Sequence, residues 1–184
     1  MKNLDFRSDT VTHPTPAMRE AMARAEVGDD VYQDAPTPNR LETLAAEMLG
    51  MEAALFVPSG TMGNQLAMMS HTRPGDEAIV SLESHIFEHE VGAAAVLSGL
   101  NLRQLTFPNG IYDAAQIEAA IRPDDIHEPP TGLICLENAL ANGRVVPLET
   151  MREVQAVAQA HGIPVHMDGA RLFHAALTLN EDVK

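Results

Sequence analysis

Apolar positions along this chain follow two rhythms, and the change between them falls near residue 53. Before it, Thr15-Pro16 offers a cap and a first-turn proline for a helix through Met18, Met22 and Ala25, with Gly28 as its end. Thr37-Pro38 opens a second helix that carries Leu41, Leu44, Ala45, Met48 and Leu49 on one face before Gly50 stops it, a spacing that predicts core packing. Beyond residue 53, short apolar runs alternate with helical stretches. Ala53–Val57 reads as a strand broken by Pro58-Ser59-Gly60, and Thr61 to Ser70 as a helix with Leu66, Ala67 and Met69 available for packing. Strands then follow at Glu77–Val80, Leu102–Phe107, Gly132–Leu136 and Pro164–His166. Between them the pattern predicts helices over Phe87 to Leu97, over Asp113 to Ile121 with Asp113 as cap, and over Leu148 to Ala160. This alternation predicts an α/β fold, a three-layer, mainly parallel sheet. The opening stretch from Phe6 to Pro14 is polar and irregular and reads as an arm or loop, and Pro123 to Thr131 as a long polar connection.

Composition narrows the partners more than the fold. With 184 residues, 45% of them hydrophobic, the chain can fill the core of one domain. A formal charge of -14 and the lack of a Lys/Arg cluster argue against nucleic acid. No apolar stretch approaches the roughly 20 residues that cross a bilayer, and the first residues lack a signal-peptide core, so the expectation is a cytoplasmic protein with no membrane partner. Cys135 sits within the apolar run Leu133-Ile134-Cys135-Leu136 and reads as a buried, inert thiol.

The candidate chemistry gathers where strands end. Asp168 and Arg171, in His166-Met167-Asp168-Gly169-Ala170-Arg171, follow the last strand, the position at which parallel α/β sheets bind ligands. An ionised Asp there can hold a positively charged ligand nitrogen; a structural ion pair is the plain alternative. Ser59-Gly60-Thr61-Met62-Gly63-Asn64 lies between a strand and a helix, so its backbone N–H groups and hydroxyls can converge on a phosphate, unless it is only a capped turn. It is neither a Walker A loop nor the dinucleotide fingerprint. His85-Ile86-Phe87-Glu88-His89 spells an inverted zincin motif, but no further helix offers a third acidic ligand. The competing reading sets His85 at a strand end, where its ring can stack on a ligand and move protons, and leaves His89 solvated; an exposed His at a helix start is the plain one. Glu137 and Asn138 close another strand and can hydrogen-bond a ligand.

These residues resemble the low-specificity L-threonine aldolases, of the threonine aldolase and β-eliminating lyase family among the fold-type I pyridoxal-phosphate enzymes. The resemblance runs through Arg7-Ser8-Asp9-Thr10-Val11-Thr12, Val27-Gly28-Asp29-Asp30-Val31-Tyr32, the Ser59–Asn64 turn, Ser84-His85-Ile86-Phe87, Leu136-Glu137-Asn138 and the Asp168–Arg171 stretch. It implies a cofactor, pyridoxal 5'-phosphate, held by Ser59, Gly60, Thr61 and Met62 at its phosphate, stacked on by His85, paired at the ring nitrogen with Asp168 and flanked by Arg171. Ser8 and Arg171 are implied contacts to the substrate. His85, helped by a water near Glu90, is the implied base for the β-hydroxyl proton. The implied reaction is aldol cleavage of L-threonine, L-allo-threonine and related β-hydroxy amino acids to glycine and an aldehyde, in a homo-oligomer, dimer or tetramer. β-Elimination on the same cofactor, or an inactive binding module, are the alternatives.

Two departures stand out. Where family members often read Glu-Asn-Thr-His-Asn, this chain has Glu137-Asn138-Ala139-Leu140-Ala141, without the His expected near the substrate hydroxyl. The lysine that binds the cofactor covalently is expected in a Ser-Lys-Gly setting after a further strand, and Lys184 is not in that setting. The resemblance therefore implies an N-terminal arm plus an incomplete cofactor-binding large domain over residues 1–184, without the small C-terminal domain, and no activity of this chain alone.

Overall fold

The computed structural model describes Asp5 and residues 8–184; Phe6 and Arg7, counted above in the opening segment and its motif, lie outside the described residues. The chain divides into two compact units, 1–56 and 57–184.

In the first unit a short 3-10 turn at Asp9–Val11 precedes α1 (Pro16–Arg24) and α2 (Pro36–Leu49). The Thr15 hydroxyl accepts from the Met18 N–H and caps α1, as Thr15-Pro16 predicts. The helix stops at Arg24, short of Gly28, whose role is different: a Cβ there would overlap the Asp34 carbonyl, so glycine permits a close approach within the loop. α2 begins one residue earlier than predicted from Thr37-Pro38, at Pro36, and ends on left-handed Gly50 at φ 64°. Its apolar stripe is not core: Leu41, Leu44 and Met48 are 48%, 49% and 43% exposed, because within this unit no element covers that face. Ala53–Val57 is not a strand either. A strand is made by its ladder, and here the Phe56 N–H donates instead to the Glu42 carboxylate at 2.7 Å.

The second unit is the predicted α/β sandwich. Its strands β1 (Glu77–Ser81), β2 (Asn101–Leu105), β3 (Thr131–Glu137) and β4 (Val165–Asp168) pair in the order β2-β1-β3-β4, all parallel. Alternation along the central strands sends side chains to two different layers. Ile79, Ile134 and Leu136 pack with Ile117 and Ala120 of α6 (Ala114–Ala120) and with Val154 and Ala158 of α7 (Leu148–Ala160). Ala78, Val80, Leu133 and Cys135 pack on the other face with Met68 of α3 (Gly60–His71), Ile86 of α4 (His85–Glu88) and Ala94 of α5 (Ala93–Val96). Burial on both faces explains why these strands read as continuous apolar runs. Cys135 is 2% exposed, and burial pushes its thiol up to about 12.

Two helices differ from the pattern. α3 buries Asn64, Gln65 and Met68 rather than Leu66, Ala67 and Met69, because Asp168 on β4 and Glu90 beyond α4 draw its amide-bearing face inward. The single helix expected over Phe87 to Leu97 is split into α4 and α5, since Val91 and Gly92 both take left-handed conformations, at φ 55° and 72°. The last helix, α8 (Leu172–Leu179), starts directly after Arg171. Among the described residues no helix is long and apolar enough to cross a membrane.

Candidate active site

The parallel sheet brings the carboxyl ends of β1, β3 and β4 beside the amino ends of α3, α4 and α8, and within the second unit these are the termini that carry the chemistry. Ser59 caps α3: its hydroxyl accepts from the Met62 N–H at 3.2 Å and its carbonyl from Gly63. The Met62 amide is thereby committed to the cap. Gly60 and Thr61 supply the first amides of the helix, which have no acceptor within it and face the positive end of its dipole. A Cβ built on Gly60 would meet nothing within 4 Å, so open space lies in front of the turn.

His166 and Asp168 lie two residues apart on β4 and therefore share a face, the one toward α3. There the Asn64 amide reaches both. Its Nδ2 donates to Asp168 Oδ2 at 2.8 Å and to Glu90 Oε1 at 2.7 Å, while its Oδ1 lies 2.8 Å from His166 Nε2. Glu90, fully buried, also accepts from Gln65 Nε2 at 2.7 Å and stands 3.1 Å from His85 Nδ1. A carboxylate only accepts, so its bond to His85 sets a hydrogen on Nδ1; in the neutral ring the lone pair is then on Nε2. Asp168 Oδ1 accepts from the Ala170 N–H at 3.1 Å.

A second cluster centres on Glu137 at the end of β3. Its Oε2 accepts from the His85 backbone N–H at 3.0 Å and its Oε1 from the Arg171 guanidinium at 2.9 Å, while Arg171 Nε donates to the Ala139 carbonyl at 3.1 Å. Burial raises the Glu137 carboxyl above its ordinary value, with Asp168 adding to the rise and the His85 amide and Arg171 opposing it. Burial lowers His166, against the pull of Asp168. Tyr112 Oη accepts from the Glu137 N–H at 2.7 Å, and burial raises this phenol.

The residues proposed from the sequence sort clearly. His85, Glu90 and Asp168 are brought together, with ligating atoms all within 4.8 Å of one another, and Arg171 joins them through Glu137. Asn64 already sets amide hydrogens between Glu90 and Asp168, where a bridging cation would have to lie. In the zincin spelling, His85 and His89 have ring centroids 5.4 Å apart, but the groups that meet His85 are Glu90 and Glu137 rather than Glu88. Asn138 turns away from a ligand role: its side chain bridges the backbone of Val146, accepting at 3.1 Å and donating at 3.2 Å. Ser8 belongs to the first unit, where its hydroxyl accepts from the Thr10 N–H and hydroxyl at 3.2 and 2.9 Å. Asn64, Gln65 and His166 were not singled out by sequence reasoning; the signal available was spacing, Asn64 being one helical turn beyond Gly60 and His166 two strand positions before Asp168.

A pyridoxal phosphate fits this donor set. The amides of Gly60 and Thr61 suit a phosphate, the Asp168 carboxylate retains lone pairs beyond those taken by Asn64 and Ala170, and His85, part-exposed near Asp168, offers an aromatic ring.

Comparison with known proteins gives the same direction. The probable low-specificity L-threonine aldolase 2 of Arabidopsis thaliana is 46% identical over 190 residues, covering 100% of this chain and 54% of that protein. The low specificity L-threonine aldolase of Escherichia coli (strain K12) is 42% identical over 182 residues, covering 98% of this chain and 54% of its own length. Among solved structures, the threonine aldolase of Leishmania major superposes with a TM-score of 0.80 at 25% identity, over 90% of this chain and 49% of that one. The chain thus spans about half the length of these relatives. With the Beta-eliminating lyase family matching over residues 5–184, the chain belongs to that family.

Proposed function

We propose that the protein carrying this chain is a pyridoxal-phosphate-dependent aldehyde-lyase that cleaves L-threonine and related β-hydroxy amino acids to glycine and an aldehyde. The observation that carries this reading is the continuous run of hydrogen bonds Asp168–Asn64–Glu90–His85, which ties a carboxylate suited to a ring nitrogen to an imidazole suited to a hydroxyl proton. When bound, the cofactor supplies an electron sink for the pair left on Cα as the Cα–Cβ bond breaks.

Residues of this chain take the following parts. The Gly60 and Thr61 amides hold the phosphate, with Ser59 fixing the turn. Asp168, held by Asn64 and Ala170, keeps a negative charge against the ring nitrogen so that it stays protonated. Glu90 fixes His85 with its proton on Nδ1, and the Nε2 lone pair takes the substrate's β-hydroxyl proton. Arg171, steadied by Glu137 and the Ala139 carbonyl, binds the substrate carboxylate or the ring hydroxyl. A second copy of the protein completes the assembly.

The test is direct. The full-length protein that carries this chain, purified and supplied with pyridoxal phosphate and L-threonine, should release equal amounts of glycine and acetaldehyde. Pyruvate and ammonia from a β-substituted amino acid, with no glycine from threonine, would move the assignment to β-elimination. Absence of both would overturn it.

A further inference from the structure

Asn64 is a helix residue with 5% of its surface exposed, and both of its amide hydrogens and its amide oxygen meet defined partners. Its two Nδ2 hydrogens reach two different carboxylates, Asp168 at 2.8 Å and Glu90 at 2.7 Å, which approach from separate elements. Rotating the amide by half a turn would aim Oδ1 at both negative groups and lose both bonds. The partner on the oxygen side adds to that preference: with its hydrogen on Nε2, 2.8 Å away, His166 donates to Oδ1, and in the rotated state it would face the Nδ2 donors. His166 is partly buried and sits on the same strand face as Asp168, so one strand supplies both the carboxylate and the group that orients its donor.

We infer that Asn64 is a positioning residue that holds the Asp168 and Glu90 carboxylates on one amide, and that His166 acts through it by fixing which way that amide faces. The inference rests on the cofactor reading above and deepens it. Neither residue touches the reacting atoms. Asn64 sets where the Asp168 carboxylate stands and where Glu90 holds the His85 ring, so its loss would misplace both ends of the site together. A neutral His166 with its hydrogen on Nε2 suffices for the orienting bond; the lowering of its proton affinity by burial is consistent with that form.

The experiment measures pyridoxal phosphate affinity by equilibrium dialysis for the unaltered protein and for Asn64→Ala, His166→Leu, His166→Gln and the double variant Asn64→Ala/His166→Leu. Asn64→Ala and His166→Leu should each weaken binding about tenfold or more, as expected when a charged group loses a buried donor. His166→Gln, which keeps an N–H donor, should stay within about threefold of the unaltered protein, less than half the free energy of a tenfold loss. The double variant should bind as weakly as Asn64→Ala alone, since His166 has no route to the cofactor once the amide is gone. Full additivity, or unchanged affinity in His166→Leu, would overturn the inference while leaving the functional reading intact. Failure of the unaltered protein to bind the cofactor would overturn both. Should the Asn64 variants not fold, the contrast between His166→Gln and His166→Leu decides the matter on its own.

Discussion

The Glu137 carboxylate meets the Arg171 guanidinium at 2.9 Å across the ends of β3 and β4, and its other oxygen accepts from the His85 amide at 3.0 Å. One buried acid therefore ties together the starts of α4 and α8. Removing it takes this carboxylate away from Arg171 and from the His85 N–H.

Glu137→Ala should lower the free energy of unfolding by about 3 kcal/mol, the scale for breaking a buried pair from one side. Glu137→Gln should cost less, since one acceptor oxygen survives. Urea titration checks both, and an unchanged midpoint for Glu137→Ala would mean that the pair contributes nothing to the fold.

His166 makes stability depend on pH. Its folded pKa lies below the ordinary 6.5, because burial disfavours the charged ring. Between those two values the unfolded chain binds more protons, so this group's contribution is present above about pH 6.5 and is lost as pH falls through the folded value. Glu137, with a raised pKa, works in the opposite sense, its contribution being lost as pH rises. Comparison with His166→Gln isolates the first effect: between pH 7 and pH 5 the unaltered protein should lose more stability than the variant. Parallel curves would show that His166 titrates alike in both states.

Asn138 gives a contrast between fold and site. It is 1% exposed and spans to Val146 through both of its amide atoms. Asn138→Ala should destabilise by about 2 kcal/mol, through the unpaired Val146 groups. Cofactor affinity, measured at a temperature well below the midpoint, should not change. A large loss of affinity at full folding would assign Asn138 to the site after all.

Val91 sits at φ 55° with 97% of its surface exposed, a conformation that a β-branched residue adopts only against steric resistance. No packing would be lost on its removal. Val91→Gly should raise stability by about 1 kcal/mol, read as a higher Tm in a thermal melt. A lower Tm would show that the valine side chain matters more than its backbone.

The three-layer sheet was legible because strands buried on both faces must be apolar throughout, as in Leu133-Ile134-Cys135-Leu136, and because helices between them keep one apolar side. Leu148–Ala160 was found to the residue. Ala53–Val57 has the same composition as a buried strand, but composition does not supply the neighbouring strand that makes a ladder. The break between α4 and α5 was invisible because a valine at left-handed φ contradicts its own propensity. At the site, Asp168 and His85 declared themselves by their position at strand ends. Asn64 and Gln65 did not, since polar residues on a helix ordinarily face solvent, and only the tertiary approach of Glu90 and β4 turns them inward.

The register of β4 has a further consequence. Val165 and Met167 pack toward the α6–α7 layer, while His166 and Asp168 face α3. A slip of one residue would exchange the two sets, lodging two polar groups in an apolar layer and presenting Asn64 with a valine and a methionine. The strand cannot be slightly misaligned and still hold the site. On the proposed function, cofactor capture is a checkpoint on folding fidelity: a molecule that binds has threaded β4 correctly, and a misthreaded one is silent.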